Sequence, residues 1–364
     1  MNAPLRLQTY VLVRALGGVA AALGVVASVI VLVDFVELSR TLGARVDLGF
    51  LELLSLTMMR VPAVLMLLAP FVFLFGIMGA YVALNRRSEL VAMRAAGVSA
   101  WRFILPAAGA ATLIGLVAIT VLNPIASDLN ARFEESQSSL IDSGHGREIW
   151  LRQGGNGRQI VIHAKTHDTA HDRVRLTGVS LFVQSVGLSG NLDFSRRIEA
   201  AQALLLPGSW RLTDVNEAMP GAELIHSEQL SIPSTLDSRT AMERFASPGA
   251  VAFWDLPATI READLAGYSA AAYRMRLQQL LATPLMFSAM TILAAAFSLR
   301  LTRLGNLARL AGLGVGLGFA VYFLGQFCAA MGKAEVIPPF VAGWAPPLLA
   351  LLSGVTLLCY TEDG

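Results

Sequence analysis

Apolar residues along this chain neither alternate strictly nor recur at helical spacing; they run on in six blocks. The blocks cover residues 10–33, 61–84, 101–122, 277–299, 310–330 and 339–360. Each is about twenty residues long, the length an α-helix needs to cross a hydrocarbon core ~30 Å thick. Between the third and fourth blocks the pattern changes. Residues 123–276 are largely polar, with short apolar runs at 148–151, 159–163, 179–184, 198–206 and 230–232. Gly154-Gly155-Asn156-Gly157, the stretch 187–191, Pro207-Gly208 and Pro220-Gly221 separate these runs. Short runs rich in Val, Ile, Leu and Trp with regular turn punctuation predict the strands of a sandwich or barrel.

The expected architecture is an α-helical membrane protein with a β insert. Residues 1–123 hold three transmembrane helices, 124–253 the β domain, and 254–364 a connecting helix followed by three more spans. Asn123-Pro124 is expected to end the third span. Trp254-Asp255-Leu256-Pro257 predicts a capped helix start leading back to the membrane, with Trp254 and Tyr268 as interfacial anchors. Pro70 and Pro284 fall inside spans and predict kinks, and Pro346-Pro347 either opens the last helix or bends it.

Composition agrees with the pattern. At 55% hydrophobic and 15% charged residues over 364 positions, the chain is too apolar for an ordinary soluble protein. Its formal net charge of +2 gives no reason to expect a nucleic-acid partner. Both cysteines, Cys328 and Cys359, lie in apolar runs, so no disulfide framework is expected. Arg14 precedes an uncharged stretch, 15–33, long enough to span, so the N-terminus is expected to be a membrane helix and not a cleaved signal. One set of short loops receives Arg6, Arg14, Arg86, Arg87, Arg94, Arg102, Arg300, Arg303 and Arg309; the other receives Arg40, Arg45, Arg60 and Lys333. Nine against four places both termini inside and the β insert outside.

The sequence offers little for catalysis. A phosphate-binding loop needs a lysine in G-x-x-x-x-G-K-[ST], and the two lysines, Lys165 and Lys333, are not in that context. The span centres lack ionisable residues of the kind an ion-driven carrier uses. Energy is therefore expected from an ATPase on a separate subunit. There is no G-x-S-x-G or H-E-x-x-H motif. His163, His167 and His171, with Asp168 and Asp172, are spaced like helical metal ligands, but His163 ends a strand-like run, so neither a metal nor a bound cofactor is expected. A non-transporting scaffold or sensor whose outer domain binds a partner is the alternative.

The inner loop Arg86-Arg87-Ser88-Glu89-Leu90-Val91-Ala92-Met93-Arg94-Ala95-Ala96-Gly97-Val98-Ser99 is the most informative short segment. Ser88 is placed to cap a short helix, Leu90, Met93 and Ala96–Gly97 form one stripe, and Gly97 is placed to end it. Such a helix either docks into a groove on a partner or rests on lipid headgroups.

This run is similar to the coupling helix of the lipopolysaccharide-export permeases of the YjgP/YjgQ family. The resemblance extends over the whole chain in span count, insert position and inner loop. Asp34-Phe35-Val36-Glu37 and the closing Glu362-Asp363-Gly364 favour the G-type subunit over the F-type. The resemblance implies a bacterial inner-membrane heterodimer with an F-type permease, both termini cytoplasmic and residues 124–270 periplasmic. It also implies an ATPase dimer carrying ATP and Mg, met through Arg87, Ser88, Glu89, Leu90, Met93, Arg94 and Gly97. The insert would be a β-jellyroll that passes lipopolysaccharide to a single-span periplasmic jellyroll partner.

By the same resemblance Trp150, Ile160, Ile162, Leu181 and Val183 line the lipid path, or else form a plain β-core. Gly312, Gly314, Gly316 and Gly318, small residues that let membrane helices approach closely, serve a subunit interface or packing within the chain. Some members carry a basic residue near the outer end of span one, where this chain has Asp34; that role is not carried over. Arg40, Arg45, Arg60, Arg274 and Arg276 are left as contacts for lipid phosphate, because guanidinium binds phosphate oxygens bidentately, or as ordinary headgroup snorkels.

Overall fold

The computed structural model describes residues 3–42, 49–141, 149–155, 158–168, 174–186, 192–206, 208–221, 223–234, 249–265, 269–301 and 307–362. Outside them fall Arg45, Glu148, Asn156-Gly157, the turn at 187–191, His171, Asp172, Tyr268, Arg303 and Asp363-Gly364. The chain forms two compact units, a helical one (1–133, 252–256 and 271–364) and a β one (134–251 and 257–270).

The helices in chain order are α1 (Ala3–Leu42), α2 (Phe50–Arg86), α3 (Glu89–Ala95), α4 (Ala100–Val117), a π-helical turn (Ala118–Leu122) and α5 (Asn123–Ile141). After the strands come α6 (Leu256–Leu265), α7 (Ala271–Leu301), α8 (Leu307–Lys333) and α9 (Pro339–Glu362). Among the described residues six helical stretches are long and apolar enough to cross a membrane, the first three running to 36, 37 and 38 residues. At 1.5 Å per residue these exceed a ~30 Å hydrocarbon core by several turns. Helix therefore continues where the sequence pattern placed short loops: Asp34 and Arg40 lie in α1, and Arg60 lies in α2.

Asn123-Pro124 does not end the third span. The chain passes from α4 through the π turn into α5 without leaving the helix. Proline cannot donate to the carbonyl four residues back, which here is that of Thr120. A π turn is one way a membrane helix absorbs such a defect. The Thr120 carbonyl instead accepts the Trp254 indole N–H at 3.2 Å, and Asn123 Oδ1 accepts the Phe253 backbone N–H at 2.8 Å. Trp254, expected as an interfacial anchor, is thus tied to the third span as well as 62% exposed.

Helices α1 and α2 meet backbone to backbone. A Cβ added to Gly18 would sit 2.4 Å from the Gly76 carbonyl oxygen, and one added to Gly76 would sit 2.6 Å from Val19 Cα. Only glycine permits backbones this near, which is how membrane helices gain contact when lipid offers no hydrophobic drive. A similar contact sets α4 on α7, with Gly115 against Pro284. Phe73 and Phe287 stack at 4.5 Å across α2 and α7, and buried Tyr81 donates to the Phe103 carbonyl at 3.1 Å.

Among the described residues the β unit is a six-stranded antiparallel sheet in strict sequence order. Its strands are β1 (Ile149–Gly155), β2 (Arg158–Asp168), β3 (Arg175–Val186), β4 (Leu192–Leu206), β5 (Ser209–Ala218) and β6 (Ile225–Pro233). One face is buried and centred on Trp210, Leu176, Leu181, Ile198 and Leu212. A single sheet covers such a core by rolling over it, and buried Gln153 marks the closure. Its Nε2 donates to the Pro233 carbonyl at the end of β6 (3.3 Å). Its Oε1 accepts from Trp210 Nε1 (3.3 Å) and Ser234 Oγ (3.1 Å). The first and last strands are thereby joined through a side chain. The insert is jellyroll-like in being a rolled sheet, with the strand order of a meander.

The α1–α2 contact gives opposite expectations for two glycines one turn apart. Gly76→Ala forces backbones apart and should lower the melting temperature, with a destabilisation of about 1–3 kcal/mol as for other overpacked sites. Gly79→Ala meets no atom within 4 Å and should be neutral or mildly stabilising, since alanine is the better helix former. Thermal unfolding of both variants in detergent tests the pair; equal effects would contradict the close approach.

Candidate functional site

Three features of the helical unit bear on function: the short helix α3, the α1–α2 groove beside it, and the arginines toward the other helix ends. Helix α3 stops by a Schellman motif. Gly97, in the left-handed region at φ +79°, donates to the Arg94 carbonyl at 2.9 Å, and Val98 donates to that of Met93 at 3.1 Å. The expected Gly97 stop is therefore present. The expected Ser88 cap is not: Ser88 is itself left-handed at φ 59°, and its side chain makes no capping bond. The tight exit from α2, in which Ser88 N–H donates to the Asn85 carbonyl at 2.9 Å, holds Ser88 outside the extended backbone that an N-cap uses.

Only part of the expected stripe of α3 faces inward: Leu90 and Met93 do, whereas Ala96 and Gly97 are exposed. Leu90 is 1% exposed within the helical core, and Met93 packs partly against the same cluster. The outward side carries Val91 (58% exposed), with Ala92, Ala95 and Ala96 also exposed. Any groove on a partner would therefore meet small residues around Val91, while Leu90 and Met93 hold the helix to its own bundle. Glu89 is tied to α1: Tyr10 Oη donates to its Oε2 at 2.9 Å, and Arg14 Nε donates to Tyr10 Oη at 3.3 Å. The Arg14 guanidinium also lies 5.4 Å from the Tyr10 ring centre.

Beside α3, α1 and α2 border a groove of about 740 Å³ with Arg14 and Arg87 at one end and small residues such as Gly17, Ala21, Gly79 and Ala83 along it. Hydropathy alone conceals this stripe, although Gly17-Gly18…Ala21-Ala22 and Gly79-Ala80…Ala83 carry the small-residue spacing that marks close helix approach. The glycines that stand out in the sequence, in α8, separate into two pairs. Gly314 abuts Met78, and Gly318 abuts Leu74 and Phe71, so these two pack α8 on α2 within the chain. Gly312 and Gly316 meet nothing within 4 Å and are exposed, leaving only that pair available to another subunit.

The arginines do not form one cluster. Arg40 is exposed in the last turn of α1. Arg60 pairs with nearly buried Asp34 at 3.5 Å, and its guanidinium lies 5.8 Å from the Phe133 ring centre. That pair offsets part of the cost of an acid at this level of α1, since a carboxylate in a lipid-facing helix needs a partner; Asp34 Oδ2 stays buried without a hydrogen-bond partner among the described residues. Arg274 is exposed near the start of α7. Arg276, half a turn on, lines a cavity among α2, α7, α8 and α9.

In the β unit Ile162, Leu181 and Val183 are buried in the core, with Ile160 partly buried against it. Trp150 is not among them. It pairs in register with His163, on the face opposite Ile162, is 63% exposed, and its ring centre lies 4.4 Å from the His163 ring centre at a tilt of 35°. The period-two alternation of β1 turns it outward. Among the described residues no group of three or more His, Cys, Asp or Glu side chains is placed to hold a metal ion.

A multi-pass helical membrane protein, with two groups of three spans flanking a rolled β insert and a short clamped helix between the second and third spans, has the form of a transport permease. The sequence profile of the lipopolysaccharide export system permeases LptF/LptG matches residues 9–360. The chain belongs to that family, and its function lies in lipopolysaccharide export as a permease. Comparison with curated proteins finds no match.

The two faces of α3 should separate in a stability measurement. Leu90→Ala removes a fully buried side chain and should destabilise the helical unit by on the order of 2–5 kcal/mol, read as a lower melting temperature. Val91→Ala, on the exposed face, should leave it unchanged; an equal drop in both would contradict the inward orientation of Leu90.

Proposed function

We propose that this chain is the G-type permease subunit of an ATP-driven exporter that extracts lipopolysaccharide from the bacterial inner membrane. In this reading it pairs with an F-type permease, both termini are cytoplasmic, and α3 receives force from a cytoplasmic ATPase dimer that binds the ATP and Mg. The β unit, on the periplasmic side, passes the lipid to the jellyroll of a single-span partner. The observation that carries the reading is the construction of α3. A seven-residue helix too short to be stable alone is clamped by Leu90 below and the Gly97 stop at its end, so a push on its outer face is transmitted to α2 and α4.

The Tyr10–Glu89 bond supports a second route for that force. Motion of α3 bears directly on α1, which crosses α2 at Gly18–Gly76. The groove between those two helices widens or narrows with any change in their angle. The small residues along it leave room for the backbones to slide with little steric resistance.

Purification from native membranes in mild detergent should recover an ATPase with the chain. Val91→Asp should weaken that association by placing a charge in the contact. Glu89→Arg should leave melting largely intact while lowering release of lipopolysaccharide from proteoliposomes by at least about tenfold, some 1.4 kcal/mol at the coupling step. Undiminished release by Glu89→Arg, or no ATPase with the wild-type chain, would overturn the proposal and favour a scaffold role.

A further inference from the structure

One cavity in the helical unit is not used by the reading above. It lies among α2, α7, α8 and α9 and has a volume of about 190 Å³. For scale, an apolar cavity of ~150 Å³ in a protein core takes a benzene molecule, so this one has room for a segment of alkyl chain. Its lining divides by chemistry. Met66, Phe71, Met286, Phe287 and Met290 form an apolar wall, while Arg276, Gln279 and Gln326 supply polar groups.

Arg276 is the unsettled member. Its Nε is buried and has no hydrogen-bond partner among the described residues. An uncompensated guanidinium in a membrane-spanning helix is costly, and such groups pair with a counter-charge or mark a ligand path. Among the described residues no acidic side chain lines the cavity. Pro70, Pro346 and Pro347 also line it; α2 and α9 run unbroken through these prolines, but each proline leaves the carbonyl four residues back, on Met66, Ala342 and Gly343 of the same lining, without its helical donor.

We infer that this cavity binds one anionic amphiphile, its phosphate on the Arg276 guanidinium and one alkyl chain against the methionine and phenylalanine wall. Arg276 supplies paired N–H donors that match phosphate oxygens, and the polarizable thioethers adapt to a flexible chain. This chemistry is common to anionic phospholipid and to phosphorylated glycolipid cargo. A cavity of this size takes one alkyl chain; a two-chained phospholipid then leaves a single chain outside in the bilayer, whereas several-chained cargo would leave most of its chains outside, which assigns the site to a resident phospholipid. The site stands whether or not the ATP-driven reading holds.

The test is native mass spectrometry of the delipidated full-length chain with its co-purifying partners, presented separately with phosphatidylglycerol, phosphatidylcholine, lipid A and inorganic phosphate. Wild type should retain one phosphatidylglycerol per chain, in preference to phosphatidylcholine and lipid A. Arg276→Met should weaken retention about tenfold, the loss of roughly one charge-assisted contact. Gly325→Leu, which keeps the guanidinium but builds into the cavity from a position with nothing within 4 Å of its Cβ, should weaken it similarly without lowering the melting temperature. Retention unchanged in either variant would overturn the assignment. So would preferred retention of lipid A, or binding of phosphate alone as tight as that of the lipid.

Discussion

The backbone contact between Gly18 and Gly76 is the constraint on which the helical unit is arranged. In lipid, apolar side chains gain nothing by leaving one environment for another like it, so helices associate through close packing and the few polar groups they share. Two glycines facing each other let α1 reach the backbone of α2, and the contact fixes where the helices cross. To one side of the crossing, the Asp34–Arg60 pair joins them. To the other, Tyr10 reaches from α1 to Glu89 at the start of α3. Helices α1 and α2 are thus joined by steric fit at one point and by an ion pair at another, while a hydrogen bond ties α1 to α3. The polar ties are exchangeable with lipid or water, whereas the glycine contact is not, which makes it the natural pivot of any relative motion.

Much of this architecture is legible in the sequence because lipid imposes simple rules. An uncharged apolar block of twenty residues matches the thickness of a bilayer and is far too long for a core strand. A polar, turn-punctuated insert among such blocks reads as a separate domain. Those rules do not reach the helix ends. Hydropathy falls at Asp34 and at Asn123-Pro124, where the pattern predicts a stop, yet the helix runs on through each. Polarity ends a hydrophobic block without ending a helix, and a π turn hides a proline that would otherwise mark a stop.

The functional residues divide along the same line. Gly97 is predictable because left-handed geometry demands glycine there. The orientation of α3 is not, since a seven-residue helix has one apolar stripe and the sequence does not say whether it meets a partner or the parent bundle. Leu90 goes inward because an apolar side chain on so short a helix is needed to hold it at all. Trp150 defeats the pattern because an aromatic in a strand reads as core, while its pairing with His163 puts it on the other face. The α8 glycines are apportioned only once Phe71, Leu74 and Met78 are seen to occupy the space beside two of the four.

The π turn at Ala118–Leu122 also acts as a phase shifter. An α-helix advances 100° per residue, so one additional residue within a turn rotates everything that follows about the helix axis relative to an unbroken α4. The side that α5 shows to its surroundings is therefore set independently of the side that α4 buries against Pro284. Asn123 sits immediately past this offset, 1% exposed, and from there holds the Phe253 amide. Were the turn regularised, Asn123 would point elsewhere and that amide would lose its acceptor. A single surplus residue thus decouples two rotational settings along one continuous span, letting the membrane half and the chain segment returning from the β unit each be fitted to its own neighbours.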